Sequence, residues 1–518
     1  MVRINNMKII DLTNISRPTL LFIGIWIISF IWRPFLLGFY SDDYAIFLEP
    51  LSNDIPLDAL IIHLKNLFLN RPFTFLLSIF WTTICRSNPA LWHISASILS
   101  LLIGLCIRNL LTYLNNNNKI LTEYEIVSLS ALWFVLPFTL GFTAWPTYLF
   151  ATSCALFFAG FLYYFLKSNG SLNKNLFISL FLYFLSISTL EAFYFQYIIG
   201  FGLVYLNSTQ KQDSLKKMLF PFIVFTAVQI SIIFITQSIT TGVRKSFDME
   251  FIVTRIVSVI NNPQYLFEAI VPITFLTISM LLFIYLFIKI KKNGLHKIDN
   301  NLLCVCLILT GIIMNIIIYM AAGYSIRPFG LGSRSSIAFC FLFIILFFYL
   351  TTKINSYKLR STIIVAVTIS STISLLMEGM DWARSWELQQ SIVASFPVDK
   401  IIPSESSLII ALVPTYSGHV TIFEDTWTLP KAIKLAHNLK LNIIPHKNEG
   451  FRKSELIIKD GKISTTSLLS GHPGVSSEYL NYYLWNYYTN KMYHIIGDLK
   501  IPVDVDYNDF FQSNLVEI

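Results

Sequence analysis

Charge is the first scarcity in this chain. Only 13% of its side chains are Asp, Glu, Lys or Arg, while 54% are hydrophobic, a balance that excludes an ordinary soluble globular protein. Cysteine is scarce too. Cys85, Cys106, Cys154, Cys304, Cys306 and Cys340 all lie in or beside apolar runs, and residues 378–518 hold none, so no disulfide framework is implied. Cys304-Val305-Cys306 has neither zinc nor redox spacing and reads as membrane-buried packing. Also missing are a phosphate-cradling glycine loop, a dinucleotide fingerprint, zinc-ligand spacing and a serine nucleophile elbow. Their absence removes support from ATP-driven transport and hydrolase chemistry. The net charge of +8 is scattered among connecting loops, so it offers no basic face to nucleic acid.

What the chain has is apolar length. Runs of about 18 or more apolar residues recur, each able to cross about 30 Å of hydrocarbon. The first, at 19–37, exceeds a signal peptide's apolar core and has no small-residue cleavage site after it, so it reads as a retained anchor. Lys and Arg placement sets the orientation. With Arg3, Lys8 and Arg17 cytoplasmic, spans fall near 19–37, 89–113, 126–138, 145–166, 176–190, 192–206, 217–239, 270–290, 301–321, 336–352 and 360–377. The cytoplasmic connections then carry Arg108 and Lys119, Lys167 and Lys174, Lys211 and Lys216, Lys291 and Lys292, and Lys353 and Arg360. The opposite turns around Trp145-Pro146 and Leu190-Glu191 carry neither Lys nor Arg; the loop at 321–334 is the exception.

The expected architecture is an all-α polytopic membrane domain of about eleven transmembrane helices over 1–377. A small extracytoplasmic α/β domain over 378–518 follows it. In the first outer loop, 57–70 patterns as an amphipathic helix lying on the bilayer, and 73–85 is apolar but too short to cross. In the tail, 408–413, 420–423 and 441–444 read as strands and 430–439 as a helix opened by its proline. Residues 477–496 read as a Tyr-rich amphipathic helix with Ser477 as N-cap.

Polar residues near the outer surface need a reason, because carboxylates there lose solvation. Asp42 and Asp43 follow the first span in Phe39-Tyr40-Ser41-Asp42-Asp43-Tyr44. Arg71 stands at an Arg-Pro corner, Arg327 and Arg334 flank Gly330-Leu331-Gly332, and Glu191 occupies a tight outer turn. This is the set an inverting glycosyl transfer needs: a carboxylate to take the acceptor's proton, and guanidinium forks to hold a departing phosphate. Asp42 is read as the base and Asp43 as a structural or metal-adjacent partner. Each residue also has a plain alternative, an aspartate as helix cap or an arginine snorkelling to headgroups. Arg33 has two options of its own, pairing with an aspartate or reaching the headgroups.

At these residues the chain resembles the GT-C superfamily of integral-membrane glycosyltransferases, which includes protein O-mannosyltransferases, the lipid A aminoarabinose transferase and bacterial O-antigen glucosyltransferases. The likeness rests on Ser41-Asp42-Asp43-Tyr44, Arg71-Pro72-Phe73, Asn88-Pro89-Ala90-Leu91-Trp92-His93 and Glu191. It implies a polyprenyl-phosphate-linked sugar as donor and a glycan or lipid-linked acceptor. It also implies an outer-face cavity bordered by Tyr44, His93 and Glu191, in a bacterial plasma membrane. The chain departs from the pattern in lacking a second His one or two turns after His93 and an acid near Trp145. The residues make no cofactor certain, and a divalent metal ion is the one candidate. Competing readings are a polymerase or ligase using a lipid diphosphate, a transporter or flippase, and a non-catalytic scaffold.

Overall fold

The structure, a computed structural model, describes residues 16–40, 42–48, 51, 57–68, 71–116, 119–208, 211–239, 310–311, 337–400, 407–418, 420–423, 428–439, 441–446, 456–459, 462–465, 481–502, 506–508, 510, 512–513 and 515–517. It is mostly helical, with a small sheet region at the C-terminus. The helices are α1 (Arg17–Phe30), α2 (Arg33–Leu36), α3 (Leu57–Phe68), α4 (Pro72–Cys85), α5 (Pro89–Asn116), α6 (Glu123–Val135), α7 (Leu140–Thr143), α8 (Leu149–Ser168), α9 (Lys174–Thr189), α10 (Tyr197–Asn207), α11 (Lys211–Ile239), α12 (Ile337–Thr351), α13 (Tyr357–Ala394) and α14 (Leu429–His437).

Among the described residues, five helical stretches are long and apolar enough to cross a membrane: Arg17–Leu36, Pro89–Asn116, Pro146–Ser168, Lys216–Ile235 and Tyr357–Lys400. A sixth forms if Glu123–Val135 and Pro137–Thr143 are taken together across their 47° bend. The bend has a cause. Pro137 supplies no N–H and drives Leu136 out of the helical region, to ψ 124°. These stretches leave large apolar side chains outward, among them Phe35, Phe234 and Ile373, as a lipid-facing surface requires.

Among the described residues there are six crossings at most, not eleven. The expected crossings at 176–190, 192–206 and 336–352 coincide with α9, α10 and α12, of 16, 11 and 15 residues. Even α9, at about 1.5 Å per residue, falls short of the bilayer core. The crossing expected at 270–290, and nearly all of the one at 301–321, lie outside the described residues. The expected limit of the membrane domain at 377 falls inside α13, which runs on for 17 residues to Ala394.

Bundle packing is aromatic. Phe158, Phe161, Phe165, Tyr183 and Phe225 meet at ring-centroid distances of 5.0 to 5.7 Å across α8, α9 and α11. At one end of the bundle Arg360 clamps α13 to α6, with Nε 2.8 Å and Nη2 3.2 Å from the two oxygens of buried Glu125.

The C-terminal domain is built on a five-stranded sheet of order β10-β8-β7-β1-β4. Its strands are β1 (Ser407–Leu412), β4 (Asn442–Pro445), β7 (Asn481–Asn486), β8 (Lys491–Ile495) and β10 (Leu515–Glu517). β1 runs parallel to both β4 and β7, and the outer pairs are antiparallel. A β2–β3 hairpin (Tyr416–Ser417, Val420–Thr421) and a three-stranded sheet of β5 (Leu456–Lys459), β6 (Lys462–Thr465) and β9 (Leu499–Ile501) complete it. The helix expected over 477–496 is overturned: the stretch holds a β7–β8 hairpin. Its Tyr and Trp residues favour a pleated surface, and Asn490, at φ +53°, provides the turn that an α-helix lacks.

Candidate functional site

Antiparallel helices gather the outer-turn residues at one end of the bundle. After α2 the chain extends through Leu37 to Tyr40 and then doubles back. Tyr40 N–H donates to Asp43 Oδ2 at 2.7 Å, and Asp43 N–H donates to the Tyr40 carbonyl at 3.0 Å. This reciprocal pair leads into a short π-helical turn over Tyr44–Leu48. Trp145 Nε1 donates to the Tyr40 carbonyl at 3.0 Å, and the Tyr40 ring meets Trp382 edge-on at 4.7 Å.

Asp43 is fully buried. Its Oδ1 accepts the Thr147 backbone N–H at 2.7 Å and also the Thr147 hydroxyl. That N–H belongs to the first turn of the Pro146–Ser168 stretch, where helical donors have no partner within the helix and the dipole is positive. The acid missing from the Trp145 turn is therefore supplied from 104 residues earlier. Burial pushes the Asp43 carboxyl up to about 8, Asp42 adds to the rise, and the three donors pull against it. Asp42 is half-buried, and its carbonyl accepts Ile46 N–H at 2.8 Å.

Arg33 is buried and, among the described residues, pairs with no aspartate. Nε donates to the Ser29 carbonyl at 2.9 Å and Nη1 to Thr143 Oγ1 at 2.7 Å, while the guanidinium lies 3.8 Å from the Phe30 ring centroid. His93 is buried with Nε2 3.2 Å from the Gly38 carbonyl. Gly38 itself sits against the Trp386 indole, where any Cβ would collide.

A second cluster lies beside the first along α8. Arg71 Nε donates to Glu191 Oε1 at 2.7 Å, and Thr74 Oγ1 donates to the Thr189 carbonyl at 2.6 Å. Phe68 against Phe150, at 5.8 Å, joins this corner to the helix that Asp43 caps. Tyr44, expected on a cavity wall, is buried against the C-terminal region: its hydroxyl donates to Gln389 Oε1 at 3.0 Å and its ring lies 6.0 Å from Phe423. Arg327 and Arg334 lie outside the described residues. Among the described residues no three His, Cys, Asp or Glu side chains are grouped to hold a metal ion.

Thr147, Trp382 and Gln389 are the participants that the sequence did not single out. Pro146 opening a helix, with a threonine next in line, was the available signal for Thr147. The arrangement offers a half-buried carboxylate on a loop held rigid by its neighbour, with an Arg–Glu pair nearby. No protein-family model matches the chain, and no curated protein matches it.

Proposed function

We propose that the protein is an inverting glycosyltransferase of GT-C type, moving a sugar from a polyprenyl phosphate to a glycan or lipid-linked acceptor at the outer face of a bacterial plasma membrane. The observation that carries the reading is the division of work within the acidic pair. Asp43 is buried and held by Tyr40 and Thr147, whereas Asp42 is half-buried on the same braced turn, and the role of base is assigned to Asp42. The acceptor hydroxyl attacks the anomeric carbon as its proton passes to Asp42, and the bond from that carbon to the phosphate oxygen breaks. Polyprenyl phosphate leaves with the electron pair, held by Arg71, Arg327 and Arg334. The reading puts the N-terminus in the cytoplasm, and residues 40–72 and the C-terminal domain at the outer face.

Transfer from a polyprenyl-phosphate sugar by the protein reconstituted in liposomes is the test. Asp42→Asn should abolish transfer while the melting temperature holds, and alanine at Arg71, Arg327 or Arg334 should chiefly raise the KM for donor. Full activity in Asp42→Asn would remove the base from the mechanism. So would single-cysteine labelling that put 40–72 and 322–335 on opposite sides of the membrane.

A transporter reading draws on two features, the buried Arg33 and the bent stretch over 123–143. It requires lipid-sugar to cross the bilayer chemically unchanged, and that measurement in the same liposomes separates the two.

A further inference from the structure

A cleft in the C-terminal domain takes no part in the chemistry above. In an open sheet with parallel strands, ligands gather outside the carboxyl ends of those strands. Here Tyr416 and Gly418 follow the carboxyl end of β1, and Tyr487 and Tyr488 follow that of its parallel neighbour β7. With Arg384 and Leu388 of α13 they border an open cleft of about 340 Å³.

Its features are those of a prepared polar surface. Tyr488 is 39% exposed, although its ring is braced by Tyr487 and Tyr507 at 5.6 and 5.5 Å. The Tyr487 hydroxyl is held 2.9 Å from Ser391 Oγ. Arg384 is exposed and has no hydrogen bond or ion pair among the described residues. Gly418, at φ +55°, lies against the Asp381 carboxylate, where any Cβ would collide. Thr415, between Pro414 and Tyr416, is buried with a hydroxyl that has no hydrogen-bond partner among the described residues.

We propose that this cleft binds a saccharide chain, as the docking site for the acceptor glycan; the choice of sugar rests on the glycosyltransferase reading. A pyranose ring has an apolar C–H face and a rim of hydroxyls. A tyrosine offers a flat ring for the face and a hydroxyl for the rim, and the guanidinium offers five donors to sugar oxygens. A nucleotide fits less well, because among the described residues no glycine-rich phosphate loop borders the cleft. The location agrees. α13 has 38 residues, about 57 Å of helix against about 30 Å of hydrocarbon, so the turn bearing Arg384 and Leu388 stands clear of lipid.

The experiment is a binding titration of the full chain in lipid nanodiscs, by saturation-transfer NMR. The panel comprises tetrasaccharides of glucose, galactose, mannose, rhamnose and galacturonic acid, with uridine monophosphate as the nucleotide control. At least one tetrasaccharide should bind saturably. Tyr488→Ala and Arg384→Ala should each weaken it about tenfold, equivalent to about 1.4 kcal/mol, while Tyr488→Phe should retain most of the affinity. Failure of every tetrasaccharide to bind, tighter binding of the nucleotide, or affinities unchanged in both alanine variants would overturn the proposal. Saccharide binding without any sugar transfer would overturn the enzyme reading and leave the cleft standing. Transfer without saccharide binding would do the reverse.

Discussion

Arg71 Nε lies 2.7 Å from Glu191 Oε1, joining the start of α4 to the turn between α9 and α10. Their side chains are 17% and 28% exposed, so the pair is screened only in part. A double-mutant cycle of Arg71→Ala and Glu191→Ala, read by thermal unfolding in detergent, should give a coupling energy of about 1 kcal/mol. Arg71→Lys should not restore it, because a lysine presents a point charge where the planar fork reaches sideways through Nε. Additive single-variant effects would mean that the two residues act independently.

Asp43 braces its turn through the Thr147 N–H. Asp43→Ala leaves that donor buried without a partner, a loss of about 1–3 kcal/mol, to be seen as a lower melting temperature. Asp43→Asn should lose a similar amount, since its amide cannot accept at both oxygens.

The pH dependence has a definite sign. Folding raises the Asp43 pKa from 3.8 to about 8, so between those values the folded state holds a proton that the unfolded state has released. This contribution is whole below the unfolded pKa and is lost as pH rises through the folded one. Wild-type stability should therefore fall between pH 5 and pH 9 by more than that of Asp43→Asn. Parallel pH profiles for the two proteins would show Asp43 ionised throughout.

The Arg360–Glu125 pair is buried at 6% and 4% exposure, and Ser361 adds a hydrogen bond to Glu125 at 2.8 Å. Removing one partner strands the other charge, so Arg360→Ala or Glu125→Ala should destabilise by about 3–5 kcal/mol. The pair sits at the bundle end away from Asp43. Transfer per folded molecule should be unchanged, measured by activity normalised to monodisperse protein.

Gly38→Ala should destabilise the junction between the first loop and α13 by about 1–3 kcal/mol, because its methyl would overlap the Trp386 indole. Trp386→Leu in the same chain should recover part of the loss. A Gly38→Ala protein as stable as wild type would show that the two elements do not pack as described.

Long apolar stretches were legible in the sequence because crossing hydrocarbon is a property of one segment. The runs at 19–37, 89–113 and 145–166 correspond to Arg17–Leu36, Pro89–Asn116 and Pro146–Ser168. Helix α3 was legible from its amphipathic face, and β1 and β4 from short aliphatic runs between breakers. The hairpin at 481–495 was not, since a dense Tyr and Trp stretch satisfies a helical stripe and a strand equally well, and its turn contains neither Gly nor Pro. Crossing number was overcounted where apolar segments of 11 to 16 residues adjoin proper spans. Hydropathy registers the apolar surface of such helices without telling lipid from neighbouring protein.

By itself the sequence determined that this protein lives in a bilayer, and that an acidic pair and an arginine corner follow its first apolar segment. Those are consequences of composition and order. Only the tertiary structure decided which acid is buried and which stays half-exposed. Adjacent side chains leave the backbone in different directions, and the one that turns inward is selected by a donor 104 residues away. The same holds for Arg71, whose partner, Glu191, was visible in the sequence only as a second isolated charge.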